Sequence, residues 1–188
     1  PISSHFLFNA LNTVYFQIDE SNKAPRRTLE MISELLRYQL YGGNQKVSIL
    51  QEIDYLKTYI ALRKLRMSER LRLRVEFPPE LNELNIYPLL FLPLVENAFK
   101  YVGGDYQLDI IMKWENNRIS LFIRNSIPEL SAEDEALRKS VDERQRKGIG
   151  LVNLRRRLSL LYPNKHRLET RKEETEFVAE LMIEIEDI

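Results

Sequence analysis

The chain has 188 residues, 44% of them hydrophobic and 30% charged, proportions of an ordinary folded protein with room for one large domain or two small ones. Its 28 basic and 28 acidic side chains cancel, which excludes a bulk electrostatic pull toward nucleic acid or anionic lipid. The lack of cysteine excludes disulfides and thiolate metal centres and fits a reducing compartment.

No apolar run is long enough to cross a bilayer, and no signal peptide is visible. The chain begins at Pro1 without a methionine, so it is expected to be a fragment whose upstream part carries a membrane anchor or sensor. The first third reads as helix. At about 100° per residue, Leu7, Leu11, Val14 and Ile18 form one apolar stripe, with Phe8 and Tyr15 at its edge. His5, Asn9 and Asn12 lie on the opposite side, at spacings of four and three. A break follows at Ser21-Asn22-Lys23, and Pro25 suits the first turn of a second helix. There Leu29, Ile32, Leu36 and Leu40 repeat on one face until Gly42-Gly43 ends it. Ser48 and Gln51 resemble a capping box, opening a third helix with Ile53, Leu56 and Ile60 inward.

The pattern changes after Met67. Arg70 to Phe77 alternates charged and apolar residues, as a half-buried strand does, before Pro78-Pro79. A strongly apolar helix is expected from Pro88 to Val102, ended by Gly103-Gly104. Two strands, Tyr106–Trp114 and Arg118–Arg124, are joined by Glu115-Asn116-Asn117 as a hairpin turn. Residues 126–147 are polar, and a connection of that length reads as a lid or a disordered segment. Gly148-Ile149-Gly150 leads into a helix over Leu151–Leu161, and strands over 167–171 and 177–185 close the chain. Helices followed by a mixed unit of about five strands argue for an α+β protein of two domains, 1–67 and 68–188.

Chemistry concentrates in three places. An imidazole is a nucleophile only when neutral, and one that receives a group from a second domain must face solvent. His5 lies on the wet side of its helix, but on periodicity alone it reads equally as a surface histidine. Glu96, Asn97 and Lys100 interrupt an apolar helix at a cost in stability unless they are exposed or ligand-bound. A carboxamide oxygen suits Mg²⁺ and a lysine one turn on can bind phosphate. An ordinary solvated helix face explains the same residues as well. Gly148 and Gly150 could let backbone N–H groups approach a phosphate, though such glycines also cap helices. Arg155-Arg156-Arg157 reads as surface ion pairing, the tyrosines 38, 41, 55 and 59 as packing between helices, and His166 as chemically silent.

Three segments in order resemble the LytS/YehU-type sensor histidine kinases of the GHKL superfamily, over nearly the whole chain. Ser4-His5-Phe6-Leu7-Phe8-Asn9-Ala10-Leu11-Asn12 is similar to that family's histidine signature. Glu96-Asn97-Ala98-Phe99-Lys100 is similar to its N box, and Gly148-Ile149-Gly150-Leu151-Val152-Asn153 to its glycine box. The Asn125-Ser126 junction and Leu161-Tyr162-Pro163 look like the version found in Bacteroidetes-type members. The resemblance implies a helical dimerisation and phosphoacceptor region followed by a GHKL-type α/β sandwich. ATP and Mg²⁺ would be the cofactors and His5 the autophosphorylated residue. Asn97 would hold the metal with Glu96 beside it, and Lys100 would contact phosphate. Gly148, Gly150 and Leu151 would shape the phosphate loop. The partners implied are a second copy, through a four-helix bundle, and the receiver-domain aspartate of a response regulator, often one of the LytTR type. No direct contact with nucleic acid is implied. The location implied is the cytoplasmic portion of an inner-membrane protein.

The chain departs from the pattern at several positions. Serine replaces proline at position 4, and Tyr101 stands where histidine is frequent. Arg124-Asn125-Ser126-Ile127-Pro128 replaces an Asp-x-Gly-x-Gly whose aspartate accepts a hydrogen bond from adenine, a bond the Asn125 carbonyl can still accept. Pro93 occupies the place of the base in GHKL hydrolases, which favours transfer over hydrolysis. Phe6 follows the histidine where other kinases carry an acid, so the residue pattern names no base for His5. Asn9 occupies a place associated with positioning water for dephosphorylation of the partner. The altered Asn125 segment also admits an alternative, a signalling scaffold without ATP chemistry.

Overall fold

In a computed structural model, residues 3–41, 45–79, 81, 84–129 and 149–185 are described. Two helices come first, α1 (Ser4–Gln17) and α2 (Lys23–Tyr41). Ser3 caps α1 by accepting from the Phe6 N–H. The hairpin closes through the Tyr15 hydroxyl, which donates to Glu30 at 2.9 Å, and through the Arg26 guanidinium over the Tyr15 ring. α1 buries none of its residues. Its apolar stripe is met by α2 on one side only, and Phe6, Val14 and Phe16 stand exposed.

The short strand β1 (Val47–Ser48) leads into α3 (Ile49–Lys64). The Ser48 hydroxyl and the Gln51 side chain form the expected reciprocal capping box. Ile49, Ile53, Leu56 and Ile60 are buried in the same hydrophobic cluster as the sheet and α4. On another side α3 meets α2, where Tyr38 and Tyr55 stack at 4.6 Å and Gln39 donates to the Tyr55 hydroxyl. The side chain of Tyr41, and Gly42-Gly43, lie outside the described residues.

A five-stranded sheet is ordered β2-β4-β5-β7-β6, from β2 (Arg72–Glu76), β4 (Gln107–Glu115), β5 (Arg118–Ser126), β6 (His166–Lys172) and β7 (Glu176–Glu184). Only the β2–β4 pair is parallel. The β4–β5 turn has both Asn116 and Asn117 at positive φ, 51° and 58°, the left-handed geometry that a two-residue hairpin requires and that asparagine tolerates. Leu108, Ile110, Met112, Ile119, Leu121 and Ile123 point to one side and form the core with α4 (Leu92–Tyr101) and α5 (Ile149–Leu161). The other side carries polar residues such as Arg124, which holds the buried Asp109 by two bonds of 2.6 and 3.0 Å.

Two expectations need correction. The apolar helix does not begin at Pro88 but at Leu92, because Leu89 takes φ 60°, a left-handed geometry that no helix propagates through. The preceding strand β3 (Asn85–Ile86) pairs instead with β1. The arginine run forms no ion pairs among the described residues. Arg155 donates to the Leu168 carbonyl at 2.7 Å, and the charge of Arg157 acts on Glu52. The Nδ1 of His166 lies 2.7 Å from the Tyr162 carbonyl. Among the described residues, no helix is long and apolar enough to cross a membrane.

Candidate functional site

The sequence candidates fall into two groups. On α1, His5 is exposed, as its helical position requires. The Asn9 carboxamide nitrogen lies 3.3 Å from His5 Nδ1. With that nitrogen donating, the neutral ring carries its proton on Nε2. Turning the amide over presents its oxygen instead, puts the proton on Nδ1 and leaves the Nε2 lone pair toward solvent. Asn9 is thus placed to select the tautomer of His5.

The second group surrounds α4, which packs on α3, α5, β4 and β5. Pro93 occupies its first turn, where a missing N–H costs nothing. Leu92, Leu94, Val95, Ala98 and Phe99 are buried, which turns Asn97 and Lys100 outward on the remaining arc. Asn97 is half-buried, and its side chain has no hydrogen-bond partner among the described residues. A neutral oxygen held on a rigid helix, free of internal bonds, fits one position in the oxygen shell of Mg²⁺, whose remaining ligands are ordinarily water and phosphate. Among the described residues, no cluster of three acidic or histidine residues offers a metal site. Lys100 is exposed, with its ammonium 5.0 Å from the centre of the exposed Tyr101 ring.

Glu96 also reaches the surface, but on the α3 side. Partial burial pushes its carboxyl above the ordinary value, and the nearby Arg63 guanidinium opposes that shift. The charge of Glu96 is felt by Tyr55 and Tyr59 of α3.

Asn125 is 1% exposed. Strand alternation sets it on the same face as Ile119, Leu121 and Ile123, beneath the helices. Its Nδ2 donates to the Ser126 carbonyl at 3.3 Å. Beside it the Ser126 hydroxyl donates to the Gly103 carbonyl at 2.6 Å and accepts from the Gln107 N–H at 2.8 Å. The junction that lacks the usual glycines is therefore fastened to the loop that ends α4.

Gly148 lies outside the described residues. Gly150 falls within the first turn of α5 rather than before the helix, with nothing within 4 Å of where a Cβ would sit. Leu151, next to it, is half-buried against the core.

Sequence reasoning missed Glu52, a carboxylate with no exposure at all. The signal was present: three residues after Ile49 and four before Leu56, Glu52 falls on the inward stripe of α3.

Comparison with known proteins gives the same direction. The family model described as histidine kinase matches residues 1–71. The sensor protein kinase HptS of Staphylococcus aureus is 28% identical over 169 residues, covering 87% of this chain and 33% of its own length. The chain thus spans about a third of the curated relatives it matches. Among solved structures, the histidine kinase domain of the blue-light-activated histidine kinase EL346 from Erythrobacter litoralis superposes with a TM-score of 0.52 at 13% identity. That match covers 98% of this chain and 89% of that one. Full-length ShkA in complex with AMPPNP gives 0.50 at 13% identity, covering 94% of this chain and 46% of that one. The chain therefore has the mixed α/β fold of histidine kinase domains, with the histidine of its first helix inside the stretch that the histidine kinase family model matches.

Proposed function

We propose that this chain is the catalytic core of a sensor histidine kinase, in which residues 1–67 present His5 and residues 68–188 hold ATP, with α3 shared between them. The observation that carries the reading is the pairing of an exposed His5 with a separate, unbonded Asn97 on a buried helix. His5 attacks the γ-phosphorus, a nitrogen–phosphorus bond forms, and the bond to the β–γ bridging oxygen breaks, so that ADP leaves with the electron pair. The ring proton passes to solvent. Catalysis is mainly positioning and charge compensation of a loose phosphoryl transition state. Mg²⁺, held by Asn97, would neutralise phosphate charge, while Lys100 supplies a point charge beside it. The buried Asn125 oxygen accepts from the adenine amino group. Gly148, Gly150 and Leu151 line the phosphate end, with Glu96 and Tyr101 flanking Asn97. Motion between the two parts carries the phosphate to the histidine.

The subtype favoured by the three motifs is the LytS/YehU type in its Bacteroidetes-like variant. A second copy would dimerise through α1 and α2. That is supported by an α1 that buries nothing and by an open groove of about 340 Å³ where Leu11, Phe16 and Leu29 lie beside polar residues such as Glu30 and Arg37. The phosphoryl group would pass to a response-regulator aspartate, of the LytTR-associated type, and Asn9 would orient the water that dephosphorylates that partner. The whole protein would be anchored in the inner membrane with this part in the cytoplasm. The missing Asp-x-Gly-x-Gly favours a second reading, a scaffold that transmits conformational change without ATP.

Incubation with Mg²⁺ and γ-labelled ATP separates the two. Acid-labile, alkali-stable label that disappears in His5→Gln supports the kinase. No label, together with no ATP-induced thermal shift, supports the scaffold.

A further inference from the structure

Three elements converge on the buried Glu52. The Tyr38 hydroxyl of α2 donates to Oε2 at 2.6 Å. The Leu89 N–H donates to both oxygens, at 2.9 and 3.1 Å. Arg157 of α5 adds a favourable charge. A buried carboxylate is a costly way to fill a core position, since an apolar side chain of similar size is generally as stable or more so.

The placement of Leu89 explains what that carboxylate does. Leu89 sits three residues before α4 at φ 60°, a geometry that costs a leucine about 1–2 kcal/mol. The N-cap of α4 is Phe91, which offers no side-chain bond. The turn that aims α4 is thus strained and uncapped, and the Glu52 carboxylate grips its leading N–H. The same carboxylate is gripped by α2, the second helix of the hairpin that carries His5. The Tyr38–Tyr55 stack at 4.6 Å and the Gln39 bond to the Tyr55 hydroxyl at 2.7 Å hold α2 against α3 at this level.

We infer that Glu52 is a positioning residue that couples α2 to the Pro88–Phe91 turn, so that displacement of α2 changes the pose of Asn97 and Lys100 on α4. Its functional consequence rests on the phosphotransfer reading above, but the mechanical coupling does not.

Tyr38→Phe tests it with the smallest change, because it removes one hydroxyl while keeping the ring stack and the Leu89 bonds. Amide hydrogen exchange of Leu89–Tyr101 is expected to rise about fivefold, with the β4, β5 and β7 amides unchanged. Faster exchange confined to α2, with α4 as in the wild type, overturns the coupling. Global acceleration in the sheet also overturns it, since that marks a purely structural loss. Glu52→Gln loosens the same turn from its other side and is expected to raise exchange there further. Should that variant not fold, Tyr38→Phe alone decides.

Binding of AMPPNP with Mg²⁺ and labelling of His5 give the second readout. Tyr38→Phe is expected to leave nucleotide Kd within about twofold and to slow labelling at saturating ATP about fivefold. An unchanged labelling rate refutes the functional consequence. A wild type that neither binds nucleotide nor labels His5 refutes the kinase reading and that consequence, while the exchange result still judges the coupling.

Discussion

The fastening at the end of β5 makes a quantitative prediction. Ser126→Ala deletes one hydroxyl that accepts from the Gln107 N–H at 2.8 Å and donates to the Gly103 carbonyl at 2.6 Å. Gly103 is buried and has no room to adjust, because even a Cβ there would meet the Pro128 ring at 2.9 Å. A buried polar group left without a partner costs about 1–3 kcal/mol. Gln107 is half-buried, so water recovers part of its loss. The Gly103 carbonyl keeps its bond from the Tyr106 N–H at 3.0 Å, so the total is about 1–2 kcal/mol. Urea denaturation is expected to show a lower midpoint at unchanged m-value, and the melting temperature to fall by about 2–8 °C. Ser126→Thr keeps the hydroxyl and is expected to restore at least half of the loss. A Ser126→Ala variant within about 0.5 kcal/mol of the wild type would show that the hydroxyl fastens nothing.

Burial holds the Glu52 carboxyl above its ordinary value of 4.5, against the opposing bonds from Tyr38 and Leu89 and the Arg157 charge. A carboxyl raised on folding binds its proton more tightly in the folded chain, so its contribution is fully present below the unfolded value and is lost as pH rises through the folded one. Thermal melts from pH 4.5 to neutrality are therefore expected to show a smaller decline for Glu52→Gln than for the wild type, and equal slopes would contradict the assignment. Asn116 sits at φ 51°, so Asn116→Ala is expected to cost about 1 kcal/mol in chemical denaturation, and no loss would contradict the turn geometry. A piece beginning at residue 68 lacks α3 and is expected to show poor amide dispersion by NMR, whereas one beginning at residue 45 is expected to fold. A well-dispersed spectrum from the shorter piece would refute the shared core.

The elements that sequence patterning revealed are those whose signals are local. Ser48 and Gln51 announce α3 because a capping box is complete within four residues. Asn116-Asn117 announces the hairpin because few residues tolerate left-handed geometry. The exposure of His5 follows from helical spacing alone. The start of α4 was misplaced although Pro93, which suits a first turn and not a helix interior, marked it. Pro88-Leu89-Leu90-Phe91 continues the apolar run, and periodicity cannot separate a buried turn from a buried helix. The preceding turn, with Leu89 at φ 60°, is held by Glu52, thirty-seven residues earlier, which accepts the Leu89 N–H. The parallel β2–β4 pairing and the two-residue β1–β3 bridge are likewise long-range. In the candidate site, residue types were readable at Asn97 and Lys100. The inward face of Asn125 follows from strand alternation, whereas the turn of Glu96 toward α3 depends on packing that no spacing encodes.

The position of α3 bears on how the two halves could communicate. Ile49, Ile53, Leu56 and Ile60 are between 0 and 6% exposed, in one cluster with Phe91, Leu94 and Val95. Burying each such side chain contributes about 1.5–3 kcal/mol, so together they rival the whole stability of a typical domain. α3 therefore cannot detach from the sandwich without unfolding it. Its contacts to α2 are fewer: the Tyr38 and Gln39 hydrogen bonds and one ring stack, each worth about 1 kcal/mol, and the single buried Leu35. A force applied through the first two helices would break or rearrange those contacts first. The α2–α3 seam therefore yields before α3 leaves the sandwich, and Glu52 stands on that seam with its other bonds on the turn that aims α4.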